Sequence, residues 1–92
     1  MKVIYKYAIQ LAPMQGVVMP RGAEILDVQV QRGEMQIWAL VVDKRDQVQR
    51  RVYVHGTGCQ IDPELADIIV KKNHIGTVQM SGYAWHVFME PE

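Results

Sequence analysis

Val78-Gln79-Met80-Ser81-Gly82-Tyr83-Ala84-Trp85-His86-Val87-Phe88 decides the architecture. Apolar and polar residues alternate on both sides of Ser81-Gly82, and alternation sends successive side chains to opposite faces of an extended chain. A glycine in a two-residue loop supplies the positive φ that a tight hairpin requires. The stretch predicts a closing β-hairpin, His74 to Met80 with Tyr83 to Met89, that carries its aromatic residues on the strands.

Upstream the same design recurs. Val3, Tyr5, Tyr7 and Ile9 fall on one face of a first strand, opposite Lys2, Lys6 and Gln10. Pro13 and Gly16 interrupt it, and Val17-Val18-Met19 forms a short strand closed by Pro20-Arg21-Gly22. From Ala23 to Arg32, Leu26, Val28 and Val30 oppose Asp27, Gln29 and Gln31, which predicts a strand half-buried through that apolar trio. Arg32-Gly33-Glu34 turns the chain into Met35 to Val42. Its uninterrupted apolar run, Ile37 to Val42, predicts a strand covered on both faces or lying at an interface. After the polar turn Asp43-Lys44-Arg45-Asp46, Val48 to His55 sets Val52 and Val54 against Arg51, Tyr53 and His55.

Between Asp62 and Asn73 the signals change. Asp62 suits an N-cap, Pro63 the first helical position and Glu64 the first turn. The β-branched Ile68-Ile69-Val70 limits the helix to a turn or so, and Asn73 reads as a terminator. The expected fold is mainly β: a single-domain antiparallel sandwich or small barrel of five to seven short strands over 1–92, with at most a short helical turn near 63–70.

Composition narrows the function classes. Ninety-two residues make one domain, burying roughly 60–65% of the unfolded surface, so modest stability is expected without assembly. Ten Lys+Arg balance ten Asp+Glu, which argues against general nucleic-acid binding through phosphates. A single cysteine excludes an internal disulfide framework. Without an apolar leader at Met1 to Lys6 or a membrane-length apolar run, the expectation is a soluble protein with no membrane partner.

Candidate chemistry is sparse. His55-x-x-x-Cys59 and His74 offer metal-ligand types, but structural zinc sites use four ligands in short-spaced pairs. The two histidines are instead expected to cap strands at the surface, and Cys59 to fill a small gap as a buried apolar residue. Cysteine catalysis would need His55, His74 or His86 beside the thiol. Asp62 and Glu64 read as helix-capping groups, and Glu90-Pro91-Glu92 as a solvated end. No catalytic residue, metal or cofactor is assigned.

Gly56-Thr57-Gly58 could form a backbone nest for an anion, although a plain turn also explains the pair of glycines. Cationic and stacking groups lead into this loop, so the candidate ligand-binding set is Arg50, Arg51, Tyr53, His55, Gly56, Thr57 and Gly58. The aromatic residues suggest a second surface. Tyr83 and Trp85 lie on one face of the last strand and Ala84, His86 and Phe88 on the other, too apolar for both to be wet. With the apolar run at 37–42, this predicts a homo-oligomer, with Trp38, Tyr83, Trp85 and Phe88 as candidate interface residues.

Five motifs occur in order: Met19-Pro20-Arg21-Gly22-Ala23-Glu24-Ile25-Leu26-Asp27-Val28-Gln29-Val30-Gln31, Ile37-Trp38-Ala39-Leu40-Val41, Gly56-Thr57-Gly58, His74-Ile75-Gly76-Thr77-Val78-Gln79 and Trp85-His86-Val87-Phe88-Met89-Glu90. In this the chain resembles a family of small phage and prophage proteins carried as a domain of unknown function. It departs from that pattern mainly at Asp62 to Lys72 and Asp43 to Gln47. The resemblance implies a bacteriophage origin and action in the cytoplasm of the bacterial host, and it supplies no catalytic residues. The expected function is a non-enzymatic accessory protein that neutralises a host antiviral defence, by blocking a host protein or sequestering a nucleotide signal. Alternatives are a virion structural or assembly protein and, less favoured, a small hydrolase.

Overall fold

The computed structural model describes residues 1–70 and 73–92. Its described elements are seven strands, β1 (Lys2–Ile9), β2 (Gln15–Pro20), β3 (Glu24–Gln31), β4 (Glu34–Val42), β5 (Gln47–Gly56), β6 (His74–Met80) and β7 (Tyr83–Met89), with one helix, α1 (Pro63–Val70). They form two antiparallel sheets, β1-β4-β3 and β2-β5-β7-β6, the sandwich among the expected alternatives.

Two tight hairpins set the registers. Ser81 and Gly82 have φ of 55° and 81°, and Arg32 and Gly33 have 54° and 78°. Positive φ at both central residues is the type I′ turn, whose twist matches that of the flanking strands. Accordingly Met80 lies opposite Tyr83, and Gln31 opposite Glu34.

The core is filled from the inner faces of both sheets. Ile9, Val28, Met35, Ile37, Ala39 and Val41 come from one, and Val17, Met19, Val52, Val54, Val78, Val87 and Met89 from the other. The sheets also meet along one side, where β6 approaches β3. A Cβ on Gly76 would sit 2.2 Å from Val28 Cγ1, so only glycine admits this approach.

Four expectations change. In β3 a bulge lies between Ile25 and Asp27, so the alternation slips by one residue. Ile25 packs against the core in place of Leu26, which is 51% exposed. Strand β4 is fully buried along one face; on the other, Gln36 is buried and Trp38, Leu40 and Val42 are partly exposed. The helix runs two turns instead of one, with Asp62 Oδ1 accepting from Leu65 N–H at 3.0 Å and Asn73 Nδ2 donating to Ile68 O at 2.7 Å. Lys71 and Lys72, within the segment expected to diverge, lie outside the described residues.

The fourth concerns the C-terminal tail, which is tied down. Glu90 N–H donates to Arg51 O at 3.0 Å, and Glu92 Oε1 accepts from Gly22 N–H at 2.7 Å. No described helix is long and apolar enough to cross a membrane.

Candidate functional site

The outer face of the β2-β5-β7-β6 sheet is built from the residues that alternate against its core row. On β5 these are Arg51, Tyr53 and His55, and across the ladder Phe88 lies opposite Tyr53 and His86 opposite His55. Helix α1 and the Pro13-Met14 loop roof part of this face. Between roof and floor runs a cleft of about 340 Å³, with Arg51, Tyr53 and His55 below, Leu65 and Ile68 from the helix above, and Glu64 and Glu90 at its rim. A second hollow of about 420 Å³ adjoins it at Pro13, His55, Asp62 and Leu65 and continues to Gly56, Cys59 and Trp85.

Tyr53 anchors the floor. It is 6% exposed, and its hydroxyl donates to Glu90 Oε1. Burial pushes the phenol above its ordinary 10, and the neighbouring Glu90 carboxylate pushes it further, while Arg51 works in the opposite direction. The His55 ring sits half-buried at the junction of the two hollows, its Nε2 enclosed and, among the described residues, without a hydrogen-bond partner. That nitrogen is the least satisfied group in the floor, and a polar ligand atom reaching it would gain a bond made to no one else.

Of the candidate ligand residues, Arg51, Tyr53, His55 and Gly56 line these hollows. Arg50 does not join them. It faces the core side of β5, where its guanidinium donates to Ala23 O and Glu90 O, each at 3.3 Å. The loop after β5 does not hold its amides open as a nest. Thr57 N–H donates to Ala84 O and Cys59 N–H to Gly56 O, each at 3.1 Å, while Gly58 takes the positive φ of 88°.

Thr57 instead enters a hydrogen-bonded chain with Thr57 Oγ1 to His86 Nε2 at 2.7 Å, His86 Nδ1 to Thr77 Oγ1 at 3.0 Å and Thr77 Oγ1 to His74 Nε2 at 3.0 Å. Cys59 is exposed, contrary to the buried role expected of it. Among the described residues none of the three imidazoles is hydrogen-bonded to it, and no group of three or more His, Cys, Asp or Glu is placed to hold a metal ion.

The four candidate interface aromatics do not form one surface, although the Tyr83 and Trp85 rings are neighbours at 6.1 Å. Phe88, 7% exposed, lies on the roofed face with the His74 ring 5.3 Å away. Trp85 packs against the core and donates from Nε1 to Met80 O at 3.0 Å. Tyr83 stands in solvent beside the hairpin turn, and Trp38 is on the opposite side of the molecule, on the outer face of the other sheet. Sequence reasoning missed Glu90, which it placed in a solvated end, and the helix residues Leu65 and Ile68. Their three-residue spacing, which puts both on one helix face, was the available signal.

Over residues 1–92 the chain matches the model of a family described as a domain of unknown function (DUF7352). No curated protein and no solved structure matches it. The chain belongs to this family of unknown function.

Proposed function

Starting from a family whose description assigns no activity, we propose that this chain is a non-enzymatic, phage-encoded accessory protein. In this reading it acts in the cytoplasm of the bacterial host and neutralises an antiviral defence by seating part of a host protein in the cleft beneath α1. The phage origin in this reading is what the resemblance carried by the ordered motifs from Met19 to Glu90 implies. The observation that carries the mode of action is the lining of the cleft. Its walls are apolar at Met14, Leu65 and Ile68, and among the described residues it gathers Asp62, Glu64 and Glu90 against one guanidinium, that of Arg51.

Among the described residues a nucleotide's phosphates would meet more negative than positive charge there, which favours the protein-binding reading over the nucleotide-sequestering one. A protein side chain with an apolar shaft and a basic tip meets the walls with the shaft and the carboxylates with the tip. Such an anchor entering a desolvated pocket is how a small contact comes to dominate an interface.

The test is purification from host cells, with captured proteins and bound small molecules identified by mass spectrometry. In parallel, a phage restricted by the defence is plated on cells producing the protein. A stoichiometric host partner and restored plating are expected, both lost in Leu65→Arg while the circular dichroism spectrum stays unchanged. A retained nucleotide without a protein partner would transfer the site to the nucleotide-sequestering reading. Restored plating that survives Leu65→Arg would remove the cleft from the mechanism.

A further inference from the structure

The side of β6 and β7 turned away from the core holds two histidines that neither hollow uses. Register sets His86 of β7 opposite Thr77 of β6, and Phe88 opposite His74. In an unbroken strand, residues three apart point to opposite faces. The bulge between His74 and Gly76 cancels that rule and returns His74 to the face that carries Thr77. His74 and Thr77 are exposed there and His86 is half-buried, so the group is open to solvent.

Two ring nitrogens converge on one atom. His86 Nδ1 and His74 Nε2 each lie 3.0 Å from Thr77 Oγ1, and the ring centres are 6.4 Å apart. Two imidazoles sharing one ion, at about 2.0–2.1 Å from each nitrogen, hold their ring centres roughly 5 to 6 Å apart. The approach still needed is on the order of 1 Å, which side-chain rotation supplies on a fixed backbone. An ion there takes over the two bonds now made to the Thr77 hydroxyl.

The surroundings hold both rings in place. Thr57 Oγ1 lies 2.7 Å from His86 Nε2, and when that nitrogen donates its hydrogen to Thr57, Nδ1 keeps a free lone pair. The His74 ring stands 5.3 Å from the buried Phe88 ring. Among the described residues no third His, Cys, Asp or Glu joins the pair, so an ion held here keeps positions open to water or to another molecule's donors. Imidazole nitrogens without carboxylates suit Zn²⁺, Ni²⁺ and Cu²⁺ over Mg²⁺.

We propose that His74 and His86 form a two-imidazole site for a divalent transition-metal ion on the outer face of β6 and β7, with Thr57 as the positioning residue for His86. The bulge at His74 is the backbone device that assembles it. The inference stands whether or not the cleft binds a host protein.

Titration calorimetry with Zn²⁺ alone, over roughly 1 μM to 1 mM, tests it, with Mg²⁺ in parallel. Saturable uptake of one Zn²⁺ is expected, retained in Cys59→Ser, which removes the exposed thiol as a rival ligand. His74→Ala and His86→Ala should each weaken uptake by about tenfold or more, with circular dichroism of the metal-free chains unchanged. Ring nitrogen-15 spectra should show Zn²⁺ on Nδ1 of His86 and Nε2 of His74. Thr57→Val should cost about tenfold and let His86 bind through either nitrogen, while Thr57→Ser restores both affinity and the Nδ1 signature. Absent saturation, uptake lost in Cys59→Ser, uptake indifferent to both histidines, or Mg²⁺ bound as well as Zn²⁺ would overturn the site. Unchanged affinity and spectra in Thr57→Val would overturn the role given to Thr57.

Discussion

The two outer faces of this sandwich differ in what covers them. On the β2-β5-β7-β6 sheet the aromatic residues Tyr53 and Phe88 face outward from the core yet are buried, Tyr53 in the cleft walled by α1 and the Pro13-Met14 segment and Phe88 beside the His74 ring. On the β1-β4-β3 sheet Trp38, Leu40 and Ile4 also face outward, and there Trp38 and Leu40 stay partly exposed while Ile4 is 59% exposed. Both faces display the same residue classes at the same strand period. A second buried face is therefore a property of what crosses the strand, and the strand itself does not encode it.

The largest effect that sharpens this contrast is Phe88→Ala. Emptying a roofed site should cost about 3–5 kcal/mol in denaturant unfolding. Trp38→Ala should cost less, about 1–2 kcal/mol, since Trp38 keeps part of its surface in water. Equal losses at the two positions would erase the distinction.

Next comes the side that joins the sheets. Gly76→Ala places a methyl against Val28 and should destabilise by about 1–3 kcal/mol, with Val28→Ala in the same chain recovering part of it. Asp62→Ala removes the cap of the roof helix and should cost about 1 kcal/mol, with helical circular dichroism falling more than strand signal.

The smallest effect is a pH dependence. The Tyr53 phenol is held above its ordinary value in the fold, so the neutral form is favoured there. Its contribution is complete below about pH 10 and is lost as pH rises through the folded value. Tyr53→Phe should flatten the alkaline decline in stability, and ultraviolet titration of tyrosinate should lose a late-ionising group. An unchanged alkaline limb would show that burial at this floor position does not oppose ionisation.

Strands, hairpins and the helix cap were legible in the chain because each rests on contacts a few residues apart. Ser81-Gly82 and Arg32-Gly33 need positive φ locally, and Asp62 reaches only to Leu65. The bulge at Leu26 was not legible: an unbroken alternation of Leu26, Val28 and Val30 hides a slip enforced by pairing with β4. The cleft was legible by halves. Period two correctly grouped Arg51 with Tyr53 and His55, and that same period should have separated Arg50 from them. Glu90 was out of reach, since its place depends on a contact with Tyr53 spanning 37 positions.

The cleft beneath α1 opens on the outer face of one sheet only, and the β1-β4-β3 sheet lies on the other side of the slab. A target seated in the cleft therefore leaves that second sheet free, so a label or tether placed there reports on binding without entering the contact.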